Sequence, residues 1–471
     1  MNQNIIKAIS LLFFPVLLIL GVCLTKSFSS TYLWCVVLCL VFYRLIVSSL
    51  KLPLIYSAPT WILLGLFSLG YFSKFFLIPL LPDNLIDLLG FKFADLSADN
   101  ELVQNSFLLT TAGFCVFCTT TVVWPKIAGN KQLNTAHFPV ENQNETKNKY
   151  LYFFVLMFLC CIVTGYFQFI YKIGVMGRQF EGLPYRLGGI VFYMRTGVLP
   201  YLLTILIYVS EKAKVKKFRL AFLILLILHA LSQSLLTSSR SQVLLMLLPL
   251  FFIYSFEKRI NRKFFISALF ILLFTVISAS LFTYLRYYYI DYGYSNIINA
   301  VSSYNDQNDF NSKLIGGTLF LFGRITGFDG VLLSLTVPPP EISLSRVISL
   351  LFSEPSLSEY YTHDVAGVRN AGVGFSPGLI GGLYLLSGYP GVLVGIPLWI
   401  ILWAKFWSFF TSSRYKSSLV MISYLAFFYF LQSQEGTFDA FLKMIAVLLF
   451  SFYVGEVLTN YLVKKSPGKH L

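Results

Sequence analysis

The chain has 471 residues, of which 56% are hydrophobic and only 12% are charged. With a mean hydropathy of +0.72, this composition excludes an ordinary soluble domain. It predicts an all-α polytopic membrane protein, with one integral membrane domain over residues 1–471. The net charge of +15 does not indicate nucleic-acid binding, because most basic residues lie in short loops beside apolar segments, as they do in membrane proteins.

Twelve apolar segments approach the length of about 20 residues that a membrane-spanning helix needs. The first begins just after Lys7 and no small-residue cleavage pattern follows it, so we interpret it as a span rather than a signal peptide. The predicted spans are 8–24, 31–49, 58–80, 107–124, 150–170, 190–210, 220–236, 242–256, 264–285, 377–403, 418–431 and 438–463.

Basic segments determine the predicted orientation of these spans. The segments 125–149, 211–219 and 257–263 are rich in lysine, as is the C-terminal tail. In a twelve-span arrangement they all fall on the side of the N-terminus. Because cytoplasmic loops carry such an excess of Lys and Arg, we predict that both termini are cytoplasmic.

The opposite, outer face carries arginine, although cations are normally scarce there. The arginines on this face are Arg178, Arg186, Arg195, Arg240, Arg286, Arg324, Arg346 and Arg369. Arg binds phosphate as a planar fork, so this face predicts a phosphorylated, lipid-linked substrate. Two outer loops are notable: a basic loop over 172–189, and a long loop over 286–376. Within the long loop, the stretch 314–337 predicts a re-entrant or interfacial helix.

The outer arginines occur in three different contexts. Arg240 lies in a short loop among serines, with no acid nearby. It is either a cation at the lipid interface or a phosphate ligand. Arg178, Arg186 and Arg195, in and just after a glycine-rich loop, are either solvated or bind an anion. Arg286 opens a tyrosine-rich run, which is either an aromatic belt at the interface or a surface against which sugars pack.

Two outer residues are candidates for acid–base chemistry. Glu435 is predicted at the N-terminus of the last span, where the helix dipole stabilises a carboxylate; it is either a general base or a capping acid. His363, in the long outer loop, is either catalytic or simply exposed. His229 lies mid-span and is interpreted as a buried, hydrogen-bonded side chain. Cys115 and Cys118 have C-x-x-C spacing without another ligand type nearby, so no metal and no cofactor are predicted.

Four short stretches resemble the Wzy-type polymerases, which assemble O-antigen and enterobacterial common antigen from oligosaccharide repeat units. They are 237–242 (TSSRSQ), 284–287 (YLRY), 370–381 (NAGVGFSPGLIG) and 434–441 (QEGTFDAF). Arg178 and Gly189 also match the Arg-x10-Gly spacing of some members, whereas Arg369 in the long loop does not. Some members carry a His where this chain has Asn370, which argues against a mechanism based on that histidine.

The resemblance implies a GT-C-like arrangement of about twelve transmembrane helices, with one large periplasmic loop, in the bacterial inner membrane. It implies a polymerase that transfers a growing glycan from undecaprenyl diphosphate to an incoming lipid-linked repeat unit, without a cofactor, beside a chain-length regulator. Arg240 and Arg286 would then bind the diphosphate, assisted by Arg178 and Arg324. Glu435 would orient or deprotonate the acceptor hydroxyl.

Two other functions remain open on the same residues. An O-antigen ligase uses the same donor, with the lipid A core as its acceptor. A flippase for lipid-linked oligosaccharides, which is not an enzyme, also has about twelve spans. The loop over 286–376 argues against a flippase, for which short and even loops are expected.

Overall fold

The computed structural model describes residues 30–49, 54–72, 101–128, 143–174, 187–237, 242–257, 327–338, 343–352, 357–367, 376–412, 415–436 and 441–463, with Leu281 and Phe438. Throughout these ranges the regular elements are helices, and the described residues contain no strand. The predicted all-α class is therefore confirmed.

The helices are named α1 to α14 in chain order. They are α1 (Ser30–Ser49), α2 (Leu54–Leu66), α3 (Glu101–Ala128), α4 (Gln143–Ile170), α5 (Leu187–Tyr193), α6 (Leu199–Lys212), α7 (Lys216–Thr237), α8 (Gln242–Phe256), α9 (Phe328–Leu335), α10 (Leu344–Phe352), α11 (Leu357–Tyr360), α12 (Gly378–Ser412), α13 (Ser418–Glu435) and α14 (Phe441–Val463). Three continue as π-helix: α2 through Phe67–Phe72, α5 through Met194–Val198 and α11 through Tyr361–Val365. Such turns are uncommon and frequently mark functional sites.

Ten of the twelve predicted spans overlap described helices; the span predicted at 8–24 lies outside the described residues, as does the span predicted at 264–285 except for Leu281. Six helical stretches of the described part are long and apolar enough to cross a membrane. They are Glu101–Thr121, Lys147–Ile170, Leu187–Lys212, Lys216–Thr237, Gly378–Thr411 and Lys443–Leu462. The protein is therefore a polytopic helical membrane protein.

Helix α4 shows how the bundle meets its surroundings. Leu151, Leu159, Ile162 and Phe169 along this helix are all exposed. Exposing such side chains to water would be unfavourable, whereas lipid chains are as apolar as leucine. One face of α4 therefore fits a lipid-facing surface, and its opposite face packs on α7 and on the segment formed by α5 and α6.

Charged side chains gather where α6 and α8 end and α7 begins. Lys212 Nζ lies 2.6 Å from a Glu257 carboxylate oxygen, and Arg219 lies 3.6 Å from Glu211. The Tyr254 hydroxyl donates to the other Glu211 oxygen at 2.7 Å. These contacts hold the three helix ends together, in agreement with the predicted placement of the basic segments 211–219 and 257–263 on one face.

Helix α12 is broken, which corrects the prediction of one continuous span over 377–403. Ser387 (φ −152°, ψ 21°) and Gly388 (φ 67°, ψ −150°) leave helical geometry. A Cβ on Gly395 would lie 2.5 Å from the Leu383 side chain, although twelve residues of straight helix cover about 18 Å. The first segment, 378–386, therefore folds back against the second, 389–412. Gly113 of α3 confirms the reversal, because a Cβ there would meet both Ile380 and Ile396.

Glu456 of α14 anchors the start of α13. Its carboxylate accepts from Ser417 Oγ at 2.6 Å and from the backbone N–H groups of Ser417 and Lys416 at 3.1 and 3.3 Å. An acid at this position satisfies N–H groups that the first turn of a helix leaves without partners. The carboxylate thus connects the two helices that follow α12.

We expect Glu456→Gln to lower the thermal unfolding temperature of the protein purified in detergent. The amide has one acceptor oxygen in place of two, so donors at the start of α13 lose a charged partner, at a cost of about 1–3 kcal/mol. Asn460→Ala is the matched control, because exposed Asn460 donates to the same carboxylate at 3.2 Å. Equal unfolding temperatures for the two variants would contradict the anchoring role.

Candidate functional site

Two of the stretches quoted from the sequence meet in the folded protein. Ser376 Oγ, just before α12, donates a 3.0 Å hydrogen bond to the backbone carbonyl of Glu435, the last residue of α13. Behind this bond the backbones touch: a Cβ on Gly436 would clash with the Gly378 carbonyl, and one on Gly382 with the Gly436 carbonyl. We call these five residues the glycine junction. It brings residues 376–381, the described part of the stretch 370–381, against residues 434–436 of the stretch 434–441.

The glycine junction is separated along the helices from the turn at which α12 reverses. Trp399, in the second segment of α12, donates from its indole N–H to Ser433 Oγ at 3.1 Å, and its ring lies 5.1 Å from that of Phe438. Trp399 comes eleven residues after Gly388, which is about 16 Å of helix. The junction therefore lies at the end of α13, away from the turn in α12 and beside the rings of Trp399 and Phe438.

Glu435 occupies the end of a helix, which corrects the predicted position at a helix N-terminus. It is the last residue of α13, and Gly436 follows in left-handed conformation (φ 65°) with its N–H bonded to the Gln432 carbonyl at 2.8 Å. The dipole at a helix C-terminus favours cations, so it does not stabilise this carboxylate. Glu435 is partly buried, and its candidacy now depends on its place in the junction.

Helix α9 packs against the first segment of α12. A Cβ on Gly381 would meet Ser334 Oγ and the Gly330 carbonyl. The Ile380 N–H donates to the Tyr71 hydroxyl at 3.2 Å, from the π-helical end of α2. This contact brings part of the loop predicted over 286–376 into the bundle: of its stretch 314–337, the described residues from 327 onward form α9 and are largely buried.

Asp329 opens α9 within this packed region. Its Oδ1 accepts from the Gly327 N–H at 3.0 Å. The buried hydroxyl of Tyr361 lies within its field: burial raises the pKa of Tyr361, and the Asp329 carboxylate raises it further. Tyr361 is therefore a neutral hydrogen-bond donor at physiological pH. The sequence assigns no role to Asp329, which interrupts the apolar stretch 314–337.

His363 lies two residues beyond Tyr361, in the π-helical turn Tyr361–Val365. Its side chain is exposed, whereas Tyr361 and Thr362 beside it are buried. The turn contacts α9, the helix that Asp329 opens. Its catalytic role stays a prediction.

The four arginines predicted to bind diphosphate, Arg178, Arg240, Arg286 and Arg324, lie outside the described residues, and their roles stay predictions. The described ends of the basic loop 172–189 are a turn after α4 and the first residues of α5. Arg195 is described, and it is neither solvated nor part of a loop. It lies in the π-helical turn Met194–Val198, with 1% of its surface exposed.

The guanidinium of Arg195 joins three helical segments through neutral partners. Its Nε donates to Gln233 Oε1 at 2.8 Å and its Nη2 to Ser232 Oγ at 2.9 Å, both on α7. Its Nη1 donates to the Cys161 carbonyl of α4 at 3.3 Å. Within the described part of the chain, the salt bridges include none to Arg195. We call Arg195, Cys161, His229, Ser232 and Gln233 the Arg195 cluster.

His229 completes this cluster and confirms the interpretation of a buried, hydrogen-bonded histidine. Its Nε2 lies 2.8 Å from the Arg195 carbonyl, which accepts, so Nε2 carries the proton. Among the described residues, His229 Nδ1 and Gln233 Nε2 have no hydrogen-bond partner. Buried polar atoms of this kind are few in folded proteins and each requires an explanation.

No family model, curated protein or solved structure matches the chain. The function is therefore argued from the glycine junction, the Arg195 cluster and the motifs of the sequence. Of the predicted catalytic residues, Glu435 belongs to the junction, and His363 lies in a turn that contacts α9, the helix packed on α12. The buried partners of Arg195 are 34 to 38 residues away in the chain, so no local pattern could have identified them.

Proposed function

We propose that the protein is a polymerase that joins undecaprenyl-diphosphate-linked oligosaccharide repeat units into an O-antigen-type surface polysaccharide. The observation that carries this proposal is the hydrogen bond from Ser376 Oγ to the Glu435 carbonyl. It unites two stretches, 370–381 and 434–441, that were related to the Wzy-type polymerases independently of each other. Membrane proteins also build substrate sites at interrupted helices, and α12 is interrupted at Ser387 and Gly388.

The proposed reaction is a glycosyl transfer on the periplasmic face. An acceptor hydroxyl oxygen attacks the anomeric carbon of the donor glycan, and the bond from that carbon to the diphosphate oxygen breaks. Undecaprenyl diphosphate leaves with the bonding electrons, and the hydroxyl proton passes to a base. Glu435 is the proposed base, with His363 as the second candidate.

The leaving diphosphate gains negative charge as its bond to the sugar breaks. Arg240 and Arg286 are proposed to stabilise that charge as preorganised forks, with Arg178 and Arg324 assisting. Charge stabilisation by arginine requires no metal or cofactor. The neutral Tyr361 hydroxyl, in the turn that contacts α9, is proposed as an additional hydrogen-bond donor.

The proposal includes the finer topology. It has about twelve spans in a GT-C-like arrangement in the bacterial inner membrane, both termini in the cytoplasm, and the loop 286–376 on the periplasmic side. The clustered ends of α6, α7 and α8 support a common cytoplasmic side for the basic segments. The bilayer supplies the lipid-linked substrate, and a separate chain-length regulator is the proposed protein partner.

Gene deletion separates the polymerase from its two alternatives. Loss of the polymerase leaves single repeat units attached to the lipopolysaccharide core. Loss of an O-antigen ligase leaves the core without repeat units, and loss of a flippase traps lipid-linked units in the cytoplasm. Electrophoresis of lipopolysaccharide with analysis of lipid-linked intermediates distinguishes the three, and either of the last two patterns would overturn the proposal.

Arg240→Ala tests the phosphate role within the complemented deletion strain. We expect polymer formation to fall on the order of 10²- to 10³-fold, the effect of removing one charge-stabilising donor. Arg346→Ala is the control on the same predicted face; Arg346 lies outside the motifs, with its guanidinium 5.8 Å from the centre of the Tyr360 ring. Surface glycan of normal length in the Arg240→Ala strain would remove Arg240 from the mechanism.

A further inference from the structure

The Arg195 cluster and the glycine junction lie at nearly the same height along α14. On α14, Val447 would meet a Cβ on Gly197, and Met444 contacts the Gln432 amide. These two α14 residues are three positions apart, which is one turn of helix. The π-helical turn carrying Arg195 and the end of α13 carrying Glu435 are thus held at nearly the same level by one helix.

We propose that Arg195 is a positioning residue, whose guanidinium holds α4 against the end of α7, the helix that Arg240 follows in the sequence. The inference rests on the proposed function in one respect, namely the phosphate role of Arg240. Gln233, which accepts from Arg195 Nε, lies one turn before Thr237, the last residue of α7. Arg240 follows Thr237 by three residues in the sequence.

All three nitrogen atoms of the Arg195 guanidinium donate hydrogen bonds. Nε and Nη2 point to α7, while Nη1 points to α4. A planar guanidinium presents five N–H donors in fixed directions, whereas a lysine ammonium presents three from a single atom. One arginine can therefore hold both helices at once, and a lysine of equal charge cannot reproduce that arrangement.

Helix α4 depends on this contact because most of its surface faces outward. Near its start, Tyr150 stacks on Phe218 of α7, with ring centres 5.8 Å apart. Near its end, Gly165 approaches Arg195 so closely that a Cβ there would lie 2.4 Å from Nη1. Between these points its exposed leucines, isoleucines and aromatics face away from the bundle. The Arg195 cluster is thus one attachment of the C-terminal half of α4 to the bundle, beside its contacts with α5 and α6.

The neutral hydrogen-bond partners of the buried Arg195 guanidinium fit a role in positioning helices better than a role in stabilising the fold. Taking an unpaired guanidinium out of water is costly, and well-packed apolar side chains often stabilise a core as well as a buried charge does. The hydrogen bonds to Gln233, Ser232 and Cys161 offset part of that cost and have directions, which apolar contacts lack. A buried charge held in this way specifies how helices are aligned.

Hydrogen exchange of the full chain in detergent tests the inference directly. In Arg195→Gln and in Arg195→Lys, we expect amides at 160–170 and 230–237 to exchange on the order of tenfold faster than in the wild type. The exchanged pair Arg195→Gln with Gln233→Arg keeps one guanidinium and one amide between the same helices. We expect it to restore slow exchange and most polymer formation.

Three exchange results would overturn the inference. They are wild-type exchange in Arg195→Gln, wild-type exchange in Arg195→Lys, and persistent fast exchange in the exchanged pair. If the exchanged pair restores slow exchange while polymer stays absent, Arg195 contacts substrate from its own position and is not a positioning residue. The two proposals can fail separately. If the exchange results are as expected but gene deletion gives the ligase or flippase pattern, the proposed function is overturned and the helix contact of Arg195 remains supported.

Gly165→Ala perturbs the same contact without removing charge. Its methyl group would displace Arg195 Nη1, so we expect faster exchange at 160–170 and shorter glycan. Gly65→Ala is the matched control, because a Cβ at this helical glycine meets nothing within 4 Å. Identical exchange in these two variants would contradict a close contact between Gly165 and Arg195.

Discussion

A Glu435→Gln protein is expected to fold normally and to extend glycan on the order of 10²- to 10⁴-fold more slowly than the wild type. The amide keeps the shape of the side chain but cannot take a proton. The Ser376 bond is made to the backbone carbonyl of residue 435, so the substitution leaves the glycine junction intact. Lipopolysaccharide carrying mostly single repeat units is the expected phenotype.

Glu101→Gln is the control for this change. Glu101 lies exposed in the first turn of α3, so the same isosteric replacement is made at a helix end away from the junction. We expect full-length glycan in this variant. Full activity of Glu435→Gln would exclude Glu435 as the base, and an equal loss in His363→Gln alone would transfer the role to His363.

Apolar runs predicted the helices well because lipid leaves little choice of structure. A chain that crosses hydrocarbon must satisfy its backbone polar groups internally, and a helix does so within one segment. The boundaries were less accurate where polar residues extend a helix beyond its apolar part. Helix α4, for example, begins at Gln143 rather than at the predicted 150.

Two predictions were wrong although the sequence contained the signals that would have corrected them. Ser387, Gly388 and Pro390 interrupt the apolar run 377–403, and such residues mark turns. Because the run is apolar on both sides of these residues, hydropathy alone predicted one continuous span. Gly436 likewise follows α13 as a helix-ending glycine in left-handed conformation. Because a helix start was predicted at that point, Glu435 was assigned to the N-terminus of a helix dipole, whereas it lies at a C-terminus.

The Arg195 cluster could not be predicted from local sequence. Its partners come from α4 and α7, and the pairing depends on how these helices pack around the π-helical turn. An arginine just inside an apolar run, followed by Thr196 and Gly197, looks the same whether it faces headgroups or neighbouring helices. Its burial distinguishes the two.

Gly436→Ala is expected to lower the unfolding temperature of the purified protein by several degrees and to abolish polymer formation. A Cβ in left-handed conformation costs about 1–2 kcal/mol. Here it would also clash with the carbonyl and Cα of Gly378, so the end of α13 must move away from the start of α12. That movement separates the stretches 370–381 and 434–441.

Gly367→Ala isolates the conformational part of this effect. Gly367 has the same φ of 65°, but a Cβ there meets nothing within 4 Å. Both variants therefore strain the backbone alike, and Gly436→Ala alone opens the junction. We expect Gly367→Ala to retain polymer and to unfold at a higher temperature than Gly436→Ala. Equal unfolding temperatures with polymer retained in both would show that contact between the two glycine-bearing ends is not required for the reaction.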